Sequence, residues 1–291
     1  MRYFDYSTPA TLSEALMLLR RYDGRAPVLA GGTDLLVSLK KREKIPEHVV
    51  NLKHIPGLDC IEYSETDGLR IGALATLQSV AQFITCSPAL QDKLGLLATA
   101  CNKVGTPQIR NMGTLGGNVC QGGPSQDTPP SLLVLDAKLK LVSLNGERVV
   151  PIDEFFTAPF KTALADGEIL TEIQIPTPPP RSAGCYKWRT KLSTADETLV
   201  GVAVLLTIDA SNVCNDIKIA LTSVAPSPFR ATRAEEVLRG KKIEDKLVEQ
   251  AGQAAAEETR PRSRADYRKI LSGVLVKRAI NEVRQRLNRP A

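Results

Sequence analysis

Aromatic residues make up only 4% of this 291-residue chain. Proteins that track single-stranded nucleic acid need aromatic platforms for the bases, and duplex binders gather basic residues on one face. Here the net charge is +6. The basic residues are scattered, with small groups at Lys40-Lys41-Arg42 and toward the C-terminus. Nucleic acid is therefore not an expected partner. A solvated basic face, or a face for an acidic partner, fits this balance.

Long apolar runs are also missing. None approaches the ~20 residues that a membrane span requires, so no membrane insertion is expected. The opening "MRYFDYSTPATLSEAL" lacks the apolar core of a secretory signal. The six cysteines, Cys60, Cys86, Cys101, Cys120, Cys185 and Cys214, are far apart and form no C-x-x-C pair. That pattern argues against a disulfide framework or zinc site and suits reduced thiols in the cytoplasm. The two histidines, His48 and His54, do not share a helix face, so no metal site is expected. No G-x-S-x-G element and no carboxylate pair suggests a self-contained hydrolytic site.

What is present begins with size. At 43% apolar, the chain exceeds the usual extent of one core, and two domains are expected. Leu12, Ala15, Leu16 and Leu19 recur at helical spacing, with Thr11 and Glu14 as a capping box, and predict a helix over 11–21. "APVLA", "HVVNL" and "LRIGAL" read as strands. Helices are expected from Thr76 and from Ser87-Pro88, the latter with proline at its first position. "KLKLVSLNGERVVPI" reads as a hairpin turning near Asn145-Gly146, and "EILTEIQIP" as a further strand. The proline run Pro176 to Pro180 cannot supply ladder donors and marks a domain boundary. Beyond it, "GCYKWRT", "TLVGVAVLLTID" and "VCNDIKIALTSVA" predict three strands. Helices over 232–239, 243–258 and 263–287 follow. Strands followed by helices predict an α+β second domain.

Two glycine segments carry the functional signal. In "APVLAGGTDLLVSL", Gly31-Gly32-Thr33-Asp34 interrupts an apolar stretch. In "NMGTLGGNVCQGGPSQDTPP", five glycines alternate with small polar residues. Glycine permits close approach to the main chain and lets N–H groups point into one concavity, which suits a diphosphate. Neither segment is a P-loop or a G-x-G-x-x-G element. From residues alone, two diphosphate-binding loops and two ordinary turns both remain open readings.

"LAGGTDLL" and "IRNMGTLGGNVCQ…SQDTPPSLLVLDAKLKL" resemble the flavin-binding subunit of molybdenum hydroxylases, the relatives of xanthine dehydrogenase, carbon monoxide dehydrogenase and 4-hydroxybenzoyl-CoA reductase. "LRIGALATL", "GEILTEIQIP", "ADETLVGVAV" and "SVAPSPFRATRAEEVL" extend the resemblance over nearly the whole chain. It implies an α+β chain. Residues 1–176 would form a vanillyl-alcohol-oxidase-type FAD-binding domain of two α/β subdomains (roughly 1–55 and 56–176). Residues 181–291 would form a small antiparallel sheet with helices. It further implies FAD in this chain, and two partners: a large molybdenum-cofactor subunit and a small subunit with [2Fe–2S] clusters, assembled as a dimer of heterotrimers. Electrons would pass from the clusters through FAD to an external acceptor.

The resemblance also assigns residues. Val28, Leu29, Ala30, Gly31, Gly32, Thr33, Asp34 and Leu35 match the first loop, with Thr33 and the backbone at the pyrophosphate and Asp34 pinning the loop. Gly113, Thr114, Gly116, Gly117 and Asn118 match the second loop, at the phosphates and ribityl chain. Asp127 matches an acid near the flavin that accepts a hydroxyl hydrogen bond. Ile109, Ile169 and Leu170 match apolar contacts, Leu170 near the isoalloxazine ring. Lys187 matches a lysine whose charge would raise the flavin potential. No catalytic residue is assigned.

The sequence departs from some relatives. No cysteine lies between Cys120 and Cys185. The extra cluster of the 4-hydroxybenzoyl-CoA reductase subunit is therefore not expected, and Cys120 is read as packing. Gly32-Thr33-Asp34 stands where carbon monoxide dehydrogenase relatives carry histidine-serine after the glycines. The basic run Arg260 to Arg264 is read as a solvated face or a partner contact. Two alternative functions stay open: a self-sufficient FAD oxidoreductase, and a non-redox nucleotide- or partner-binding protein on the same fold.

Overall fold

The computed structural model describes residues 3–192 and 196–288. The first unit is a three-stranded parallel sheet in the order β1-β3-β2 (β1 Asp5–Ser7, β2 Val28–Leu29, β3 His48–Asn51). Helix α1 (Leu12–Tyr22) packs Ala15, Leu16 and Leu19 against Val50, Leu52 and Ile55. Its N-cap Thr11 accepts the Glu14 N–H at 3.2 Å, while the Glu14 carboxylate accepts from Ala10 at 2.8 Å. The cap is thus closed one residue earlier than the simple box predicts. Helix α2 (Leu35–Lys41) leads from β2 toward β3.

The second unit is an antiparallel sheet in the order β4-β5-β10-β6-β7 (β4 Ile61–Ser64, β5 Gly68–Gly72, β6 Lys138–Ser143, β7 Gly146–Pro151, β10 Ile169–Ile175). Ser143 pairs with Gly146, so the predicted hairpin turns on Leu144-Asn145. Between β5 and β6 run α3 (Leu77–Thr85), α4 (Pro88–Lys103), α5 (Pro107–Met112), α6 (Leu115–Gln121) and α7 (Thr128–Val134). Thr76 caps α3 by accepting the Ser79 N–H at 3.0 Å. After β7 come α8 (Ile152–Phe155) and the small pair β8 (Phe156–Ala158) and β9 (Lys161–Thr162).

The residues 176–181 carry the chain from β10 to the third sheet, β11-β12-β13-β14 (β11 Ser182–Thr190, β12 Thr198–Ile208, β13 Cys214–Thr222, β14 Phe229–Arg230). Helices α9 (Thr232–Leu238), α10 (Asp245–Glu258) and α11 (Ala265–Leu287) follow. This C-terminal sheet is antiparallel throughout, with the helices after it, as the sequence predicted. The unbroken apolar run of β12 now has a cause. Val202, Val204 and Leu206 enter the core beneath α10 and α11, while Ala203 and Leu205 enter the core of the second unit. A strand buried on both faces loses the usual polar alternation.

Candidate functional site

The first glycine segment leaves β2 at Ala30 and enters α2 at Leu35. Gly32 sits at φ 80°, a conformation that favours glycine. The segment is tied down by the Leu36 N–H, which donates to Gly32 O at 3.0 Å. Among the described residues, nothing accepts from the N–H groups of Gly31, Gly32, Thr33, Asp34 or Leu35. Consecutive unclaimed N–H groups form a concavity of partial positive charge suited to an anion. Asp34 is exposed at the N-cap and caps none of these groups. It therefore does not pin the loop in the way the resemblance implied.

The second glycine segment is not an open loop. Thr114 is the N-cap of α6 and accepts the Gly117 N–H at 3.0 Å. The Gly113 N–H goes to Ile109 O, Leu115 N–H to Ala75 O, Gly116 N–H to Ala73 O and Asn118 N–H to Thr114 O. These bonds fasten the segment to the end of β5 and leave it few N–H groups to offer. The donor-rich wall is the first segment, and the second forms the wall opposite.

The two walls touch. A Cβ on Gly31 would stand 2.3 Å from Met112 O and 2.8 Å from Gly113 Cα. Thr33 Oγ1 lies 3.5 Å from the place a Cβ would take on Gly113, and Ala30 Cβ lies 3.9 Å from that place on Gly117. Only a residue without a Cβ allows the main chains this close. A narrow cradle, walled by glycine and lined by free N–H groups with the Thr33 hydroxyl beside them, fits a pyrophosphate.

Behind the second wall the polar side chains are engaged with one another. Asn118 Oδ1 accepts from Thr128 Oγ1 at 2.5 Å, and its amide donates to Gln126 Oε1. Gln126 in turn donates to Gln121 Oε1 at 2.5 Å. Asn118 thus braces the wall. Asp127 is buried, and its Oδ1 accepts hydroxyls from Tyr186 at 2.7 Å and Thr198 at 2.6 Å. Burial pushes the Asp127 carboxyl above its ordinary range, against the Thr198 hydrogen bond and the Lys103 charge, which lower it. Lys103 Nζ stands 3.9 Å from Oδ2. The Tyr186 hydroxyl, also raised by burial and by Asp127, has room because Gly201 lies beside it: a Cβ there would be 2.4 Å from the oxygen. Trp188 stacks on Tyr186 with centroids 5.8 Å apart.

The remaining predicted residues are dispersed. Ile109 is partly exposed on α5 next to Met112. Ile169 and Leu170 are buried in two different cores. Lys187 pairs with Glu282 of α11 and lines a cleft of ≈ 460 Å³ with Gln91, Thr99, Trp188 and Arg286. Its described contacts do not reach the glycine segments. Burial pushes the Cys120 thiol up to about 12. Arg264, at φ 50°, precedes α11, and Arg268 donates to Ser223 O. Sequence reasoning missed Lys103, Tyr186 and Thr198. A lysine ending a helix carries no local sign that it is buried.

Residues 2–178 match the family model described as the FAD binding domain in molybdopterin dehydrogenase. Residues 189–283 match that of the CO dehydrogenase flavoprotein C-terminal domain. The chain is 35% identical over 282 residues to the carbon monoxide dehydrogenase medium chain of Hydrogenophaga pseudoflava, covering 96% of each. It is 32% identical to a putative xanthine dehydrogenase FAD-binding subunit of Escherichia coli K12, again covering 96% of each. Among solved structures, reconstituted CO dehydrogenase from Oligotropha carboxidovorans superposes with a TM-score of 0.91 at 33% identity, over 98% of this chain and 99% of that one.

Proposed function

The chain belongs to the FAD-binding subunits of the molybdenum hydroxylases, oxidoreductase components, and we propose on that premise that it relays electrons from a partner's [2Fe–2S] clusters to an external acceptor. Its partners are a large molybdenum-cofactor subunit, where substrate is oxidised, and a small iron–sulfur subunit. The assembly is a dimer of heterotrimers in the cytoplasm, a setting that suits the free cysteines. Residues 1–176 form the FAD-binding domain and 181–291 the second domain. Bound FAD supplies the redox chemistry.

The observation that carries this reading is the meeting of Gly31 with Gly113 under a run of unclaimed N–H groups. The main chain from Gly31 to Leu35 receives the pyrophosphate on its N–H groups, with the Thr33 hydroxyl as a further donor, and Val28, Leu29 and Ala30 lead into it from β2. Gly113, Thr114, Gly116, Gly117 and Asn118 supply the opposite wall. Asp127 offers Oδ2 to a cofactor hydroxyl, because Oδ1 is already occupied by Tyr186 and Thr198. Ile109 gives an apolar edge, Leu170 and Ile169 back the site from the core, and Lys187 supplies a positive charge from β11.

The test is an absorbance spectrum of the purified chain, identification of any released flavin, and titration with FAD and FMN. One FAD per chain with FMN rejected is the expected outcome, because FMN lacks the diphosphate. Failure to bind added FAD, alone and with both partners present, would overturn the reading.

A further inference from the structure

A lysine is almost never fully buried without a partner. The Lys103 side chain is 2% exposed. Its ammonium donates to the backbone oxygen of Asp196 at 3.0 Å and faces Asp127 Oδ2 at 3.9 Å. The first contact ties the chain just before β12 to the end of α4. The second sets a cation against the carboxylate oxygen that takes no hydrogen bond from the described residues. Lys103, Asp127, Tyr186 and Thr198 come from α4, the N-cap of α7, β11 and β12, so one buried cluster joins the second unit to the C-terminal sheet.

We propose that Lys103 is a positioning residue for the flavin site: its buried ammonium keeps Asp127 an anionic acceptor, with Oδ2 turned to the cofactor. This rests on the reading of Asp127 given above. The groups acting on Asp127 are few. Thr198 and Tyr186 donate hydroxyls, Lys103 is the cation, and Glu197 is an opposing anion. Burial and Glu197 both push the carboxyl toward its neutral form. With Lys103 removed, no cation among the described residues offsets them, and the carboxyl holds its proton to higher pH. A neutral carboxyl is the weaker acceptor.

The experiment compares the full-length chain with Lys103→Met, Lys103→Arg, Asp127→Asn and the Lys103→Met/Asp127→Asn double variant. FAD affinity is read from flavin fluorescence across the neutral range, with circular dichroism as the check on folding. Lys103→Met is expected to move the pH at which FAD affinity falls upward by about one pH unit, the shift that follows when Asp127 binds its proton about tenfold more tightly. Binding should recover as pH rises and Asp127 ionises. Lys103→Arg, which keeps the charge, is expected to bind as the unaltered chain does. In the Asp127→Asn background the lysine change should add nothing, because the group it acts through is gone. A loss that is independent of pH, or that adds fully to Asp127→Asn, would overturn the proposal and make Lys103 a packing residue. If Asp127→Asn binds FAD as tightly as the unaltered chain, the assignment of Asp127 itself fails instead. Should Lys103→Met not fold, Lys103→Gln, which keeps a polar head without the charge, carries the same comparison.

Discussion

Replacing Gly31 by alanine tests the clamp at its narrowest point. The new Cβ would lie 2.3 Å from Met112 O, where ordinary contact begins at 3.4 Å. The nearest atoms are all main chain, at 2.3, 2.8 and 3.0 Å, so no side chain can rotate away. Gly31 is not among the residues with positive φ. Alanine is therefore unstrained in itself, and the whole effect comes from forcing two segments apart by about 1 Å. Overpacking of this kind costs about 1–3 kcal/mol. For a chain of this size that lowers the melting temperature by roughly 2–10 °C. The effect on FAD should be larger. A displacement of ~1 Å moves an N–H···O bond from its best distance to one where it is effectively lost. Each bond to a charged group is worth about 1.5–3 kcal/mol. Loss of one or two predicts FAD affinity reduced by roughly tenfold or more.

The assay pairs calorimetry of the FAD-free chain with a fluorescence titration of FAD. Gly57→Ala is the control. Gly57 sits at φ 83° with nothing within 4 Å of an added Cβ. It should therefore lower stability through backbone strain alone and leave FAD affinity unchanged. If Gly31→Ala binds FAD as the unaltered chain does, the two glycine segments do not form one clamp and the argument from close approach is wrong.

Other perturbations give independent checks. Gly201→Ala would place a Cβ 2.4 Å from the Tyr186 hydroxyl; it should break the Tyr186–Asp127 bond and lower stability by about 1–3 kcal/mol in a denaturant titration. Burial pushes the Cys101, Cys120 and Cys185 thiols up to about 12 and Cys214 to about 11, while Cys60 and Cys86 are exposed. A thiol reagent should therefore modify Cys60 and Cys86 quickly in the folded chain, the half-buried Cys120 more slowly, and the buried Cys101, Cys185 and Cys214 only on unfolding. The Arg148 guanidinium holds the Glu168 carboxyl below its ordinary value, with a further hydrogen bond from Ala165. The stability this contributes is present above the unfolded value and is lost as pH falls through the lower, folded one. Glu168→Gln should therefore flatten the acid limb of a stability–pH curve, and an unchanged limb would show that the pair does not matter.

How far the molecule was legible depended on whether a feature is local. The cap at Thr11, the turn after Ser143 and the sequence of strands and helices after the proline run follow from short-range chemistry, and the structure shows them. The continuous run in β12 gave its burial but not its reason, because two different cores claim its two faces. The second glycine segment reads as a loop because its glycines let a ligand approach the main chain and turn N–H groups into one concavity. It is nonetheless helical from Leu115, held by the Thr114 cap and by the carbonyls of Ala73 and Ala75, a partnership distant in sequence. Tertiary bonds outweigh a propensity of about 1 kcal/mol per glycine.

The same distinction explains why the residues around Asp127 escaped notice. A glycine announces itself in sequence because close approach permits nothing else, and Gly31 and Gly113 do meet. A lysine has many solvated uses, so nothing in "ATACNKVG" separates Lys103 from an ordinary helix-ending cation. Its burial comes from the C-terminal sheet folding over α4, with Asp196 and Asp127 supplying the contacts. On the proposed reading the flavin site is built at two levels. Its walls are encoded by residue types that leave no alternative, while its charge is set by side chains whose roles arise only when the units pack together. A relative could keep every glycine of the clamp and still differ at position 103, and the pH dependence of its FAD affinity would differ with it.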